Sequence, residues 1–536
     1  MKRLFIFSFA LLSAAGASHA ATPIYGSITE KNQDSFVLRY KTLESANYHL
    51  CGTSTLACRY YGTTTPTLPI IATTTPSKPA EEGLRATSRS GRFVATYKAA
   101  TSKDPKRVFS VSDTTTGKIY TIESRLAYWD LLSEEYKLFA FNPSETKLVY
   151  LDDKDGHPSL YAIDLTKLSD PVKSERLMTR PYSVSDFLFV DDNRLLFTAN
   201  REHPLRWALH AYDFSAETAT KISDANYGTP LKRIGSYVSF SRTKNNISEI
   251  AFYDPVLKTV KTPSFDRNAP IATVEPVQEP ITLAGLNAVV LKPDNFSAAK
   301  AYPLLLWLHG GPYRQTSIGY HPYGSYGVYD QTLESFRQRG YLVVKLDYHG
   351  SYGYGRPFAE SLQYNVGKID VKDVTDAVTA LKNRYTISKI YPIGNSYGGY
   401  LALKAAADKP ALFAGAISIA GVTDWQFLIE KLPDTIFKTH FNSPTGSMNA
   451  LLEQASIVKN AKALSAKKVL LIHGQMDNSV PVDQADFLYR ALPGNNVEFI
   501  AIPEEDHVLT KQSSLELVCR SIETFLGLPK APSCLR

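Results

Sequence analysis

The sequence predicts two joined folds, an all-β propeller followed by an α/β domain with a mostly parallel sheet and helices on both faces. Three observations carry that prediction. Before about Pro270, short runs alternate apolar and polar residues between Gly, Pro, Asn, Asp and Ser. From about Ile271, continuous apolar strands alternate with stretches of helical spacing. Between the two textures the chain is too long, at 536 residues, for one core.

The first half shows strands such as Phe93-Val94-Ala95-Thr96-Tyr97, Lys147-Leu148-Val149-Tyr150-Leu151 and Arg194-Leu195-Leu196-Phe197-Thr198. It also repeats. Val108–Asp113, Leu160–Asp164, Leu209–Asp213 and Ile250–Asp254 each end an apolar strand on an aspartate. A strand cluster recurring every ~40–50 residues marks propeller blades, and the length allows about five to seven. An irregular β-sandwich is the alternative. Aspartate favours the start of a turn, so the repeated aspartates are read as turn formers rather than ligands.

The second half places strands at Pro303–Leu308, Tyr341–Leu346, Ile390–Ile393, Phe413–Ile419, Val469–Ile472 and Val497–Ile502. Helical spacing falls at Asp370–Leu381, Tyr400–Ala407 and Leu515–Leu526. Function in such a sheet is expected beyond the carboxyl ends of its strands.

Ile393-Gly394-Asn395-Ser396-Tyr397-Gly398-Gly399-Tyr400 fits G-x-S-x-G, a strand-to-helix turn that lifts a serine above the sheet. The glycines permit the close backbone approaches such a turn needs. A serine hydroxyl needs a base, and the base needs a partner that fixes its tautomer. In an α/β-hydrolase the order is serine, acid, histidine. Asp477 follows the strand Val469–Ile472, and His507 follows Val497–Ile502. Ser396, Asp477 and His507 are therefore the expected catalytic residues. His473 and His309 are rival bases; Glu505 and Asp506 are rival partners for the imidazole. The oxyanion hole is expected from the N–H of Tyr397 and that of Gly310 or Gly311. There is no H-E-x-x-H, clustered Cys/His set or G-x-x-x-x-G-K-[ST], so neither a metal nor another cofactor is expected.

The chain is 44% hydrophobic and 21% charged, with net charge +7 and scattered basic residues, which points away from nucleic acid. Lys2-Arg3, the apolar run Leu4–Leu12 and Ser18-His19-Ala20 have the design of a signal peptide over residues 1–20. The run is shorter than the ~20 residues a permanent span needs, so no stable membrane insertion is expected. Domains of 21–270 and 271–536 and an exported, periplasmic or secreted protein follow. The four cysteines suit an oxidising compartment. Two local pairs, Cys51 with Cys58 and Cys519 with Cys534, are favoured over the other pairings and over buried thiols.

Several motifs together resemble the prolyl oligopeptidase family of serine peptidases, most nearly its acylaminoacyl-peptidase branch. They are His309-Gly310-Gly311-Pro312, Gly350-Ser351-Tyr352-Gly353-Tyr354-Gly355, Gly367-Lys368-Ile369-Asp370-Val371-Lys372-Asp373-Val374, Gly394–Tyr400, His473-Gly474-Gln475-Met476-Asp477 with Val480-Pro481, and His507. The resemblance implies a serine peptidase acting on short peptides, covered by a propeller. It also implies an apolar pocket lined by Val422, Trp425 and Val480 for the residue before the cleaved bond. Ser479 stands where family members often carry a carbonyl-clamping arginine. His349 stands where the glycine-rich loop usually has arginine, and Ala455-Ser456 where Ser-Pro is usual. No Glu-Glu pair can be assigned to capture of a substrate amine. Two other readings stay open: an esterase or amidase using the same triad, and a propeller-based binding protein with an inactive hydrolase half.

Overall fold

The computed structural model describes residues 7–10, 23–32, 35–41, 46–52, 56–62, 85–98, 107–124, 137–179, 182–244, 247–265, 273–274 and 277–535. Within the last stretch 320, 322–323, 434–436, 445, 493–495 and 533 are left out. The expected leader at 1–20 falls mostly outside these residues.

Among the described residues the first half forms five sheets. Three are four-stranded antiparallel meanders, at 85–124, 139–176 and 184–224; a fourth spans 232–261 and gains the short strand Thr273–Val274. The fifth gathers the N-terminal strands and is joined in parallel by Ser264–Phe265, which pairs with Ala57–Cys58. The late strand thus joins the earliest sheet, as closure of a propeller ring would require.

The repeated aspartates end the third strand in each of the four meanders. Asp113, Asp164, Asp213 and Asp254 each accept through Oδ1 from the backbone N–H two residues on, at Thr115 (3.0 Å), Thr166 (2.9 Å), Ser215 (2.9 Å) and Val256 (3.0 Å). Each repeat is therefore a strand ended by a side-chain-made turn, and the aspartates act as the turn formers expected.

The second half is built on one eight-stranded sheet. Its strands are β1 (Gln278–Leu283), β2 (Leu286–Leu291), β3 (Tyr302–Leu308), β4 (Leu342–Leu346), β5 (Ile387–Asn395), β6 (Gly415–Ile419), β7 (Lys468–Gly474) and β8 (Val497–Ile502). They run in the order β1-β2-β4-β3-β5-β6-β7-β8, and all pairs from β4 onward are parallel. The domain is an α/β-hydrolase fold. The hairpin β1–β2 was not among the expected strands, and β5 begins three residues earlier than its apolar run because Ile387 pairs with Tyr302.

Alternation explains the continuous apolar strands. Leu304, Leu306 and Leu308 of β3 face the core shared with α3 (Ile369–Arg384) and α4 (Tyr397–Asp408). Leu305 and Trp307 face the core shared with α1 (Gly324–Gln338) and α9 (Gln512–Phe525). Both faces are covered, so every position is apolar, and each buried leucine contributes about 1.5–3 kcal/mol. Between them fall the helices α2 (Arg356–Glu360), α5 (Trp425–Lys431), α6 (Lys438–Phe441), α7 (Met448–Ala455) and α8 (Asp483–Ala491). No helix among the described residues is long and apolar enough to cross a membrane.

Cys519 in α9 is bonded to Cys534, closing a loop of sequence separation 15, and both are fully buried. Glu516 and Glu523 of the same helix accept from the backbone of Cys534, Leu535 and Ala531 and hold the tail in place. Replacing both cysteines with serine is expected to cost about 3 kcal/mol, from the entropy a loop of this length restores to the unfolded chain. Thermal denaturation reads the loss directly. Cys51 and Cys58 sit opposite each other in their ladder, but their side chains lie outside the described residues.

Candidate active site

The elbow is built by crowding. β5 lies beside β3, and α4 starts immediately over the end of β3. A Cβ on Gly398 would stand 1.9 Å from Leu308 O, and one on Gly394 would stand 2.4 Å from both Leu308 O and the Gly398 carbonyl carbon. Only glycine fits either place. Ser396 is held between them at φ 58°, ψ −123°, a conformation rare for a residue with a side chain. Its N–H donates to Ile419 O (2.8 Å), and its carbonyl accepts from Tyr400 N (3.0 Å), which opens α4. The side chain is half-buried at the carboxyl end of the sheet.

The same rim carries Asp477 and His507. Met476 N donates to Glu505 O (2.8 Å), tying the loop after β7 to the loop after β8. His507 Nδ1 and Asp477 Oδ2 are 2.7 Å apart. Asp477 Oδ1 accepts from Ser479 N (2.9 Å) and Val480 N (2.7 Å). Burial alone raises the Asp477 carboxyl. The hydrogen bonds from His473 and His507, with the backbone N–H of Val480, outweigh it and hold the group well below the usual carboxylate range. Asp477 is therefore an anion facing Nδ1, and Nδ1 carries the proton that faces it. That leaves Nε2 of His507 as the lone-pair nitrogen, the tautomer a general base requires. Among the described contacts Ser396 Oγ makes no hydrogen bond to His507; such bonds often tighten only with substrate in place.

The rivals are occupied elsewhere. His473 is buried, its Nε2 donates to Val480 O (2.8 Å), and it lies 3.2 Å from Asp477 Oδ2. It braces the acid loop, a role the sequence did not reveal. His309 is buried between Gly310 O (2.8 Å) and Ser351 Oγ (2.9 Å) and stacks on Tyr348. Asp506 Oδ1 accepts from the backbone of His507 and Asn478, and Glu505 accepts from the backbone of Thr510 and Lys511, so neither serves the imidazole.

Gly310 lies against Ser396: a Cβ there would be 3.1 Å from Ser396 Cβ and 2.8 Å from Asn395 O. Gly311 follows at φ 118°, before a cis peptide to Pro312. Tyr397 is buried, and its hydroxyl donates to Asp370 Oδ2 (2.6 Å). Burial raises the Asp370 carboxyl to about 6, against the hydrogen bond from Tyr397 and two backbone N–H groups. An acid raised on folding binds its proton more tightly folded than unfolded. Its contribution to stability is thus present near pH 4 and is lost as pH climbs to about 6. Asp370→Asn should gain on the parent across that window and run parallel to it above pH 7, read as paired melting curves.

Val422, Trp425 and Val480 are 1%, 0% and 3% exposed. Trp425 packs against Tyr397, Tyr400, Phe437 and Phe441. All three belong to the core that also holds Tyr397. Ser479 is exposed on the acid loop.

The glycine-rich loop expected on the site's rim lies at the seam with the propeller. Tyr352 Oη donates to Val184 O (3.0 Å), Asn200 Nδ2 to Gly353 O (2.9 Å), and Arg356 Nε to Asp153 Oδ2 (2.6 Å). Gln315, just past Gly310 and Gly311, accepts from Trp207 Nε1 (2.8 Å) and donates to Pro204 O (3.0 Å).

Residues 328–527 match the model of the prolyl oligopeptidase family. A probable dipeptidyl-aminopeptidase B of Botryotinia fuckeliana is 25% identical over 363 residues, 62% of this chain and 37% of the relative. Dipeptidyl peptidase 8 of Homo sapiens is 25% identical over 61% of this chain and 38% of its own. The chain thus spans little more than a third of the length of these curated relatives. Among solved structures, a Mycobacterium tuberculosis puromycin-hydrolyzing peptidase superposes with TM-score 0.68 at 17% identity, over 98% of this chain and 86% of that one. An acylaminoacyl peptidase of Pyrococcus horikoshii does so at 0.58 and 14%, over 98% of each.

Proposed function

We propose that this chain, whose residues 328–527 match the model of the prolyl oligopeptidase family, is an exported serine peptidase that hydrolyses short peptides through an acyl-enzyme. The observation that carries the reading is the 2.7 Å contact of His507 Nδ1 with an ionised Asp477, on the same rim as the strained Ser396. Ser396 Oγ attacks the scissile carbonyl as His507 Nε2 takes its proton. The N–H groups of Tyr397 and of Gly310 or Gly311 receive the developing oxyanion. His507 then returns the proton to the leaving amine, and water repeats the sequence to free the acid. Asp477 stays ionised and stabilises the imidazolium throughout.

Val422, Trp425 and Val480 would form the apolar floor for the side chain before the cleaved bond. The propeller, pressed on the oxyanion side, would keep folded proteins out. The basic start, apolar run and small-residue site at 1–20, with the Cys519–Cys534 bond, favour work outside the cytoplasm.

A fluorophosphonate tests the centre. It should attach to Ser396 and stop hydrolysis of a peptide library read by mass spectrometry. Cleavage that survives complete labelling, or survives Ser396→Ala, removes this reading.

A further inference from the structure

A groove of about 880 Å³ opens between the sheet at 184–224 and the sheet at 232–261. It lies away from Ser396. Trp207, which meets the hydrolase half, and Asp213, which lines the groove, stand near opposite ends of the strand Arg206–Asp213, about 20 Å apart. Two arginines bridge the sheets across the groove. Arg194 Nη1 donates to Pro255 O (2.7 Å), and Arg242 Nη1 donates to Ser223 Oγ (3.1 Å). Each is also paired with a carboxylate of its own sheet, Asp191 and Glu249. The fold itself therefore sets the width of the groove.

One wall is a strand with a free edge. Thr218–Asp224 is last in its sheet and, among the described residues, pairs only with Arg206–Asp213. Six of its seven residues line the groove, all but Ala219. Consecutive residues of a strand point to opposite faces, so a groove that touches both Thr220 and Lys221, and both Ser223 and Asp224, follows the strand's edge. The hydroxyls of Thr218, Thr220 and Tyr253 have no partner among the described residues, although Tyr253 is only 4% exposed. The ammonium of Lys258 has none either, whereas Lys221 is held by Glu202 and Asp224. Beside Lys258, Val256 and Leu257 stand 79% and 62% exposed.

We propose that this groove docks the acidic tail of a partner protein, laid as an added strand along the free edge of 218–224 with a carboxylate on Lys258. A free edge offers every second N–H and C=O to another strand, which binds any extended chain. Lys258 selects among such chains, because a charge-assisted hydrogen bond to its ammonium needs an anion. The hydroxyls of Thr218, Thr220 and Tyr253 serve the polar side chains beside it. This site is separate from the active centre and stands whether or not Ser396 is the nucleophile.

The full chain carrying Ser396→Ala is immobilised and offered a random library of short peptides, read by mass spectrometry. Retained peptides should be rich in Asp and Glu, and Lys258→Glu should weaken them about tenfold or more. That substitution fits the turn, since Glu217 holds the matching place after Asp213 at φ 52°, against 55° at Lys258. Repeating the selection with amidated peptides separates a terminal carboxylate, which is lost, from a side-chain one, which is kept. Hydrogen exchange in the complex should slow at alternate amides of 218–224, because an added strand takes every second N–H. Retention of the same peptides by parent and Lys258→Glu overturns the assignment. So does a library that is not retained at all, or a bound peptide that leaves exchange at 218–224 unchanged. Self-association of the parent that Lys258→Glu abolishes would give the groove to a second copy of the chain and overturn it too.

Discussion

Asp477→Asn is expected to lower kcat by about 10⁴-fold while the protein stays folded. Oδ1 can go on accepting from Ser479 N and Val480 N, so the loop keeps its shape. The amide NH₂ then replaces Oδ2, which faces two imidazoles, His507 Nδ1 at 2.7 Å and His473 Nε2 at 3.2 Å. His473 Nε2 must remain a donor because Val480 O accepts from it. His507 can avoid two facing donors only by moving its proton to Nε2. That tautomer has no lone pair for the Ser396 proton, and an imidazolium formed there would have no anion beside it. The cost to stability should be modest, about 1–3 kcal/mol for one mismatched donor. Steady-state kinetics at pH 7–8 beside a melting curve would separate the two effects. A fall of less than about tenfold would move the acid elsewhere.

Gly398→Ala should have the largest effect on folding. The added methyl would lie 1.9 Å from Leu308 O and 2.6 Å from His309 O, and both are backbone atoms at the centre of the sheet. No rotamer change relieves the contact. α4 would have to lift off β3, opening the packed core beneath Leu401, Ala402 and Ala405. A loss above about 4 kcal/mol is expected, enough to leave most of the protein unfolded or insoluble. Soluble yield and circular dichroism would show it. Near-parent stability would mean the elbow is not built on this crossing.

The same crossing explains what could be read from residues alone. Ser396, Asp477 and His507 could be placed on one rim because each follows a buried apolar strand, and parallel strands bring their carboxyl ends together. The blade repeat was legible because its aspartates make the same turn each time. Features held by contacts distant in sequence were not. α1 carries Gly324, Gly327 and several aromatics, and is fixed as a helix by packing on β3 and β4, so its sequence gave no helical signal. His473 reads as a strand-end histidine until its partner Val480 is seen. Ser264–Phe265 is two residues long, and only its distant partner makes it a strand.

The seam between the halves has a consequence for how substrate enters. Gln315, a few residues past Gly311, and the loop 350–355 are both bonded to the propeller. A widening of the molecule along this seam would pull on Gln315, and through its carbonyl on His321 and Tyr326. Parting the halves would therefore shift the segment that follows Gly310 and Gly311 together with the propeller.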